Sequence, residues 1–551
     1  MTEIYEERRA QMFPKLDDAQ IARVAPHAER RPMRAGEILF EQGSTNPGMY
    51  VLLSGELEVV RPGLAGEDPI VVHTAGDFTG EASVLSGRRS LVRGRVRKDG
   101  EVLYLDPPAL RRVVQGDAEL SDIFMRAFIL RRMGLLAHGQ GDAVLIGSTH
   151  SAATLRLQEF FTRNGHPYTY LDVERDDTLQ GVFDRFHVTA ADVPVVICRG
   201  EQVLKNPSNE EVAECFGLNR VSDPALLRDV VVVGAGPAGL AAAVYGASEG
   251  LDVLVLETIA PGGQAGMSSK IENYLGFPTG ISGEALGARA FAQAEKFGAE
   301  VAITRCAARF VCDGKRGYEV GLTDGSVVHA RSIVIASGVQ YRKLPLPELT
   351  RYEGVGIYYG ATHLEAQLCG TDEAIVVGGA NSAGQAAVFL SSGGRHVHVL
   401  VRGKGLAETM SKYLIQRLEE NPHVTIRTQT EIVGLEGDGR LERVRWRGPD
   451  GTVETHPIKH VFLMTGAEPH THWLNGCVAL DAKGFVKTGT DLTSEDLGAH
   501  WPLPRSPFLL ETNRHGVFAV GDVRSGSMKR VASAVGEGSV CIGLVHRTLT
   551  E

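Results

Sequence analysis

Two short runs of apolar, mostly β-branched residues, Asp229–Val233 and Ala374–Val377, each end in a glycine-rich turn that opens an alanine-rich stretch. The turns read Gly234-Ala-Gly-Pro-Ala-Gly239 and Gly378-Gly-Ala-Asn-Ser-Ala383. Continuous apolar runs of this length predict strands buried on both faces, and the stretches after the turns predict helices. From residue 223 to 551 strand and helix patterns keep alternating, with Asp252–Glu257 and His396–Val401 as the next strands. That order predicts doubly wound parallel sheets. Residues 1–138 differ: Glu37–Glu41, Met49–Leu53, Glu56–Val60 and Ile70–His73 predict short strands between Gly, Pro and Asn turns. A helix follows, with apolar positions at Leu120, Ile123, Phe124, Ala127 and Phe128. Residues 139–222 predict a small α/β unit: strand Ala143–Gly147, helix Ala152–Arg163, strand Tyr168–Asp172 and strand Val195–Ile197. The expected fold is therefore multidomain. A β-roll with helices spans 1–138 and the small α/β unit 139–222. Doubly wound α/β structure follows over 223–551.

The turns carry the chemistry. In a strand–turn–helix of this kind the first glycine permits the tight turn and the second lets the backbone approach a pyrophosphate. The third position must be small so that helix and strand pack closely. The helix N-terminus then faces the phosphates. Two such turns imply two dinucleotides, a flavin and a nicotinamide, and hence a redox flavoprotein. Glu257 closes the second strand where a carboxylate accepts from adenosine ribose hydroxyls. The second turn has Ala380 at the middle glycine, which weakens or shifts pyrophosphate binding. No carboxylate ends its following strand, and Arg402 with Lys404 stand where a 2′-phosphate would bind, favouring NADPH over NADH. The alternative is a solvated basic loop.

Charge and cysteines narrow the class. A net charge of −10 argues against nucleic acid and against an anionic membrane surface as partners. The seven cysteines, Cys198, Cys215, Cys306, Cys312, Cys369, Cys477 and Cys541, contain no C-x-x-C pair and read as free thiols in a reducing cytosol. The charged start, Met1 to Arg9, has no apolar core of a secretory signal, so the expected location is cytoplasmic. Val230–Ser248 is uncharged but contains the phosphate turn, so a strand and turn are expected rather than a membrane span. No metal site is expected.

Five motifs in order resemble the thioredoxin reductases and their flavoprotein relatives: the first glycine turn, Pro261-Gly-Gly-Gln-Ala265, Ile271-Glu-Asn-Tyr-Leu-Gly-Phe-Pro278, Ile335-Ala-Ser-Gly338 and Gly516-Val-Phe-Ala-Val-Gly-Asp522. The resemblance implies that Asp522 holds the flavin ribitol and that Gln264 and Asn273 line the flavin edge. Backbone at Arg530, Val531 and Ala532 would reach the pyrimidine end. With the turn, the expected FAD set is Gly234, Gly236, Pro237, Ala238, Gly239, Glu257, Gly263, Gln264, Asn273, Gly338, Gly521, Asp522 and Arg530–Ala532. The expected NADPH set is Gly378, Ala380, Asn381, Ser382, Ala383, Arg402 and Lys404. A two-fold homodimer is implied as well. Thr465–Pro469 resembles the return crossing into the flavin domain, which implies one doubly wound domain over 223–344 and 465–551 with the other inserted at 345–464.

One departure is decisive for chemistry. The redox C-A-T-C of that family is matched here by Gly360-Ala-Thr-His363. Without a dithiol there is no thiolate to attack a disulfide and no internal relay. Electrons would pass to an external acceptor: a flavodoxin or ferredoxin, a second flavin, a quinone-like molecule or a partner disulfide. His363 is the candidate acid/base beside the flavin, or else fills the space of the missing cysteine. The alternative to an enzyme is a sensor or scaffold that binds both nucleotides with little turnover.

Upstream, Gly36-Glu-Ile-Leu-Phe-Glu-Gln-Gly43, Met49–Glu56 and Gly76-Asp-Phe-Thr-Gly-Glu81 resemble cyclic nucleotide-binding domains. The resemblance implies a site at Gly80, Glu81, Arg89 and Ser90, with Glu81 on the ribose, Arg89 on the cyclic phosphate and Arg88 beside it. The stretch from Glu81 to Arg89 is shorter than usual, and Ser83 and Ser90 replace apolar or small positions. The domain either binds a cyclic nucleotide or another small effector and regulates the rest, or is a β-roll kept for docking or dimerisation. The unit at 139–222 resembles glutaredoxin- and thioredoxin-type folds, with Val193-Pro194 at the cis-proline position. Ser151-Ala-Ala-Thr154 stands where a dithiol would open the helix. Its hydroxyls are expected to cap that helix and the unit to act in docking or spacing.

Overall fold

The computed structural model describes residues 9–45, 47–63, 66–80, 83–86, 89–137, 142–149, 151–174, 186, 188–189, 192–219, 221, 223–312, 317–474, 476–498 and 501–551. The first domain is an antiparallel five-stranded sheet. Its strands run Glu29–Met33, Arg93–Leu105, Met49–Gly63 and Gly66–His73 in order, with Ile38–Phe40 paired to Arg93–Leu105. The two strands expected at 49–53 and 56–60 are one strand, Met49–Gly63, whose register against Arg93–Leu105 shifts between Leu52 and Leu57. The strand Arg93–Leu105 escaped the sequence reading because charged Arg93, Arg95, Arg97 and Lys98 occupy its solvent side. Its helices, Pro107–Gly116 and Ala118–Ala137, close the core through Phe124 and Phe128, with Phe78 edge-on to Phe124 at 4.9 Å between ring centroids.

The small unit has the expected elements. Ala143–Gly147 lies parallel to Tyr168–Asp172 and antiparallel to Val195–Cys198, which pairs with Gln202–Lys205. The peptide before Pro194 is cis. Ser151 caps the helix Ala152–Arg163 by accepting from Thr154 N, whereas Thr154 is fully buried and makes no cap. Its hydroxyl is spent on packing beside Gly147.

The third sheet has seven strands. Glu300–Ile303, Val253–Glu257, Leu227–Val233 and Val327–Ile335 run parallel, Val517–Ala519 pairs in parallel beside the end of Val327–Ile335, and Tyr318–Leu322 with Ala307–Val311 add an antiparallel flank. The helices Pro237–Ser248 and Val531–Thr550 pack on one another across it. The fourth sheet is all parallel: Ile357–Tyr358, His460–Leu463, Ala374–Val377, Val397–Val401 and Val424–Thr428. It carries an antiparallel three-stranded appendage, Glu431–Glu436, Arg443–Arg447 and Val453–His456. The chain enters and leaves this domain through a two-stranded ribbon, Val339–Tyr341 with Ala467–Pro469, so the fourth domain is inserted in the third.

The cysteines correct the sequence reading. Cys198–Cys215 and Cys312–Cys477 are disulfide-bonded, with Cα–Cα distances of 6.7 and 6.0 Å, and Cys306, Cys369 and Cys541 are free. Cys198 on the strand Val195–Cys198 meets Cys215 on the helix Asn209–Phe216, and Cys312 and Cys477 meet across 165 residues of chain, a proximity that spacing along the chain does not reveal. Among the described residues no helix is long and apolar enough to cross a membrane, and no cluster of His, Cys, Asp or Glu side chains is placed to hold a metal ion.

Candidate functional site

Both glycine turns face one cavity of about 850 Å³, at the C-terminal ends of the parallel strands and beside the connecting ribbon. This is where open α/β sheets offer ligand sites. Each turn is built for close approach. A Cβ on Gly239 would overlap the Gly234 carbonyl, and one on Gly378, where φ is +146°, would press on the Met464 carbonyl. Ala380 occupies the N-cap of its helix in extended backbone, φ −103° and ψ 178°, so its methyl costs nothing in conformation, and the residue is exposed on the cavity wall.

Three helices start at this cavity: Pro237–Ser248, Asn381–Ser391 and Val531–Thr550. Their N-caps, Gly236, Ala380 and Arg530, make no side-chain cap bond. By contrast Asp17, Asp106, Ser208, Ser282 and Thr493 cap the helices they precede. An uncapped helix start leaves amide N–H groups and the positive end of the helix dipole for an anion. The residues present therefore fit dinucleotide phosphates.

Of the sequence-selected residues, Gly234, Gly236, Pro237, Ala238, Glu257, Gly263, Gln264, Asn273, Gly338, Gly521, Asp522, Arg530, Val531, Ala380, Asn381 and Ser382 line the cavity. Gly239 and Ala383 are buried beneath the turns, while half-buried Gly378 and exposed Ala532 are not part of the lining. Glu257 is committed to backbone: it accepts from the amides of Ala235 at 2.8 Å, Ile259 at 2.9 Å and Ala260 at 3.3 Å. Gln264 Nε2 donates to the Val339 carbonyl at 2.5 Å, tying its loop to the ribbon. Asn381 Oδ1 accepts from Ser411 N at 2.8 Å. Burial pushes the Asp522 carboxyl above its usual range, opposed by the Lys529 ammonium and helped by Glu537.

Arg402 and Lys404 lie away from the cavity lining, exposed on the loop after Val397–Val401. The Gly360 stretch sits against the opposite loop: a Cβ on Gly360 would lie 2.6 Å from Met267 Cε. His363 begins the helix His363–Cys369, and its side chain lies outside the described residues. In the first domain, Gly80 has φ +105° and accepts from Arg131 Nη1 at 2.8 Å, and Ser90 is buried with its hydroxyl donating to the Val92 carbonyl. Arg89 Nη1 donates to the Gly43 carbonyl at 3.0 Å, with its side chain beside Gly217 of the small unit. Glu81 and Arg88 lie outside the described residues.

The cavity also takes residues that sequence reasoning missed. Tyr341 on the ribbon hydrogen-bonds Ser382 of the second turn, and Lys343, Gln385, His470 and Trp473 complete the same wall. Glu159 and Arg163 reach it from the small unit. Arg417 of the inserted domain donates to Glu272 at 2.5 Å. Burial raises that carboxyl, but Arg417 and Lys270 outweigh it and hold it below the usual range. The Tyr341–Ser382 and Arg417–Glu272 contacts join residues far apart in sequence, so no local signal announces them.

This cavity, with paired dinucleotide turns in an inserted two-domain arrangement, defines a pyridine nucleotide-dependent flavoprotein class. The pyridine nucleotide-disulphide oxidoreductase model matches residues 228–538, and the chain belongs to that family. Residues 30–117 match the cyclic nucleotide-binding domain. Among relatives, the NADPH-dependent thioredoxin reductase 3 of Arabidopsis thaliana is 30% identical over 372 residues, 64% of this chain and 66% of that protein. The thioredoxin reductase of Streptomyces coelicolor is 30% identical over 316 residues, 57% of this chain and 91% of that one. Of solved structures, T. acidophilum thioredoxin reductase superposes with a TM-score of 0.52 at 25% identity, covering 59% of this chain and 99% of its own. Lactococcus lactis thioredoxin reductase in the FR conformation gives 0.51 at 26% identity, with the same coverage. The chain is thus a thioredoxin reductase-like oxidoreductase carrying an N-terminal cyclic nucleotide-binding domain.

Proposed function

We propose that the protein is an NADPH-dependent FAD oxidoreductase that passes electrons to an acceptor outside its own chain, without a C-x-x-C relay. The observation that carries this reading is the convergence of three uncapped helix starts on one cavity, two of them opened by dinucleotide turns. FAD bound there supplies an acceptor for a hydride and a donor of one or two electrons. The chain's own part is positioning. The Gly234–Gly239 turn would hold the diphosphate of one dinucleotide, Asp522 its ribitol, and Gln264 and the start of Val531–Thr550 its flavin end. The Gly378–Ala383 turn holds the second on the same cavity, and the Tyr341–Ser382 bond keeps that turn in register with the ribbon. Arg402 and Lys404 recognise the 2′-phosphate. His363 is assigned the proton transfer that accompanies electron release.

The first domain is the regulator in this reading. Its short helix Ser83–Ser86, on the loop that would hold a cyclic phosphate, receives Arg111 Nη1 at the Leu85 carbonyl. Both this helix and Pro107–Gly116 rest on the helix Gly283–Phe297 of the flavin domain. Gln115 Nε2 donates to the Phe297 carbonyl at 3.3 Å. The other end of Gly283–Phe297 abuts the Pro261–Met267 loop through Gly283 N, which donates to Ser268 O at 2.8 Å. A ligand that favours one position of Ser83–Ser86 thereby has a mechanical route to the cavity.

The test is anaerobic addition of NADPH to the purified protein, followed by a screen of acceptors. Rapid bleaching of a bound flavin, with turnover on at least one added acceptor, is the expected result. A persistent yellow colour with NADPH present would replace the enzyme by the sensor reading.

A further inference from the structure

We infer that the small unit completes the flavin site. Its Arg163 is a positioning residue for the FAD loop and a buried cation for the FAD diphosphate; this rests on the flavin reading above. The helix Ala152–Arg163 points its last turn at the flavin domain. Arg163 Nη2 donates to the Gly263 carbonyl at 3.2 Å, and the next residue, Asn164, donates from Nδ2 to the Ile259 carbonyl at 3.0 Å. These two bonds grip both ends of the loop between Glu257 and Ala265. That loop lies directly on the phosphate turn: a Cβ on Gly263 would come within 2.9 Å of Gly236 Cα. The small unit therefore fixes the backbone on which the first dinucleotide turn rests.

The charge argument is independent of the grip. The Arg163 side chain is only 11% exposed, yet it lines the cavity. Its one ion-pair partner, Glu159, is a helical neighbour whose side chain is 37% exposed, with Nη1 to Oε1 at 3.1 Å. Its Nε–H is buried and has no hydrogen-bond partner among the described residues. The closest carboxylate of the flavin strand, Glu257, already accepts from three amides. A guanidinium largely withdrawn from water, on the cavity wall beside a phosphate-binding turn and with only an exposed helical neighbour for an ion-pair partner among the described residues, is matched by a diphosphate anion. The dithiol that a glutaredoxin-like unit would use at the other end of this helix is absent, and the end that remains useful is the one at Arg163.

The experiment strips FAD from the full-length wild type and from R163Q, R163K and E159Q, then titrates FAD back by fluorescence at several salt concentrations. Loss of a charged hydrogen bond predicts that R163Q binds FAD about ten- to a hundredfold more weakly. It also predicts a flatter salt dependence. R163K, which keeps the charge, recovers most of the affinity, and E159Q binds as tightly as wild type or more so. R163Q within about twofold of wild type overturns the inference. So do R163Q and R163K that are equally weak while their apo forms melt earlier, because that pattern is loss of packing alone. A wild type that neither retains nor rebinds FAD overturns the flavin reading itself, a result separate from either.

Discussion

Arg402 and Lys404 are exposed, and their strand ends without a carboxylate to repel a phosphate. Charged hydrogen bonds to such a group contribute about 1.5–3 kcal/mol, or roughly ten- to a hundredfold. The double variant R402Q/K404Q is expected to lose that factor in kcat/KM with NADPH while its NADH value holds, as steady-state kinetics with both nucleotides would show. His73 sets a different residue-level property. It is almost fully buried in the first domain, and burial, with Arg131 and Lys15 nearby, pushes its pKa down to about 3. Below the ordinary value of 6.5 the unfolded chain takes up a proton that the folded domain refuses, so stability falls as the pH drops from 6.5 towards 3. By pH 5 the loss is about 2 kcal/mol. Calorimetric melting of H73L between pH 7 and 4 is expected to show a shallower decline than the wild type.

Among the elements, the helix Gly283–Phe297 has the most to transmit, because it touches the cyclic nucleotide-binding domain at one end and the flavin loop at the other. Q115A/R111A removes side-chain bonds at the near end without touching the cavity. It is expected to leave basal NADPH oxidation unchanged and to abolish any change of rate that cyclic AMP or cyclic GMP produces in the wild type. Elements also show what could be read in advance. Ala143–Gly147, Ala152–Arg163 and Ala374–Val377 lie where the apolar pattern put them, since strands and helices buried on a core leave a local imprint. Arg93–Leu105 did not, because half of it faces water and alternates Arg with apolar residues. The site divides the same way. The glycine turns, Gln264 and Asp522 are legible as short motifs, while Tyr341 from the ribbon and Arg163 from the small unit reach the cavity only after folding, and Arg417 pairs with Glu272 across domains.

On the scale of the whole molecule, the small unit, the flavin domain and the nicotinamide domain meet around the cavity, while the first domain rests on the helix Gly283–Phe297. The small unit is the hub of that arrangement. Its helix Ala152–Arg163 meets the flavin loop at Arg163 and the nicotinamide domain at its other end, where a Cβ on Gly354 would lie 3.2 Å from Ala152 Cβ. The Cys198–Cys215 bond lies in the core beneath it.

The contact between Ala152 and Gly354 has a mechanical outcome. Any swing of the nicotinamide domain has to lift Gly354 off the start of that helix and unfasten Arg417 from Glu272. The small unit thus works as a doorstop: it stands in the arc through which its neighbour would turn, and a protein visitor seeking the blunt end of that helix finds the doorway already filled.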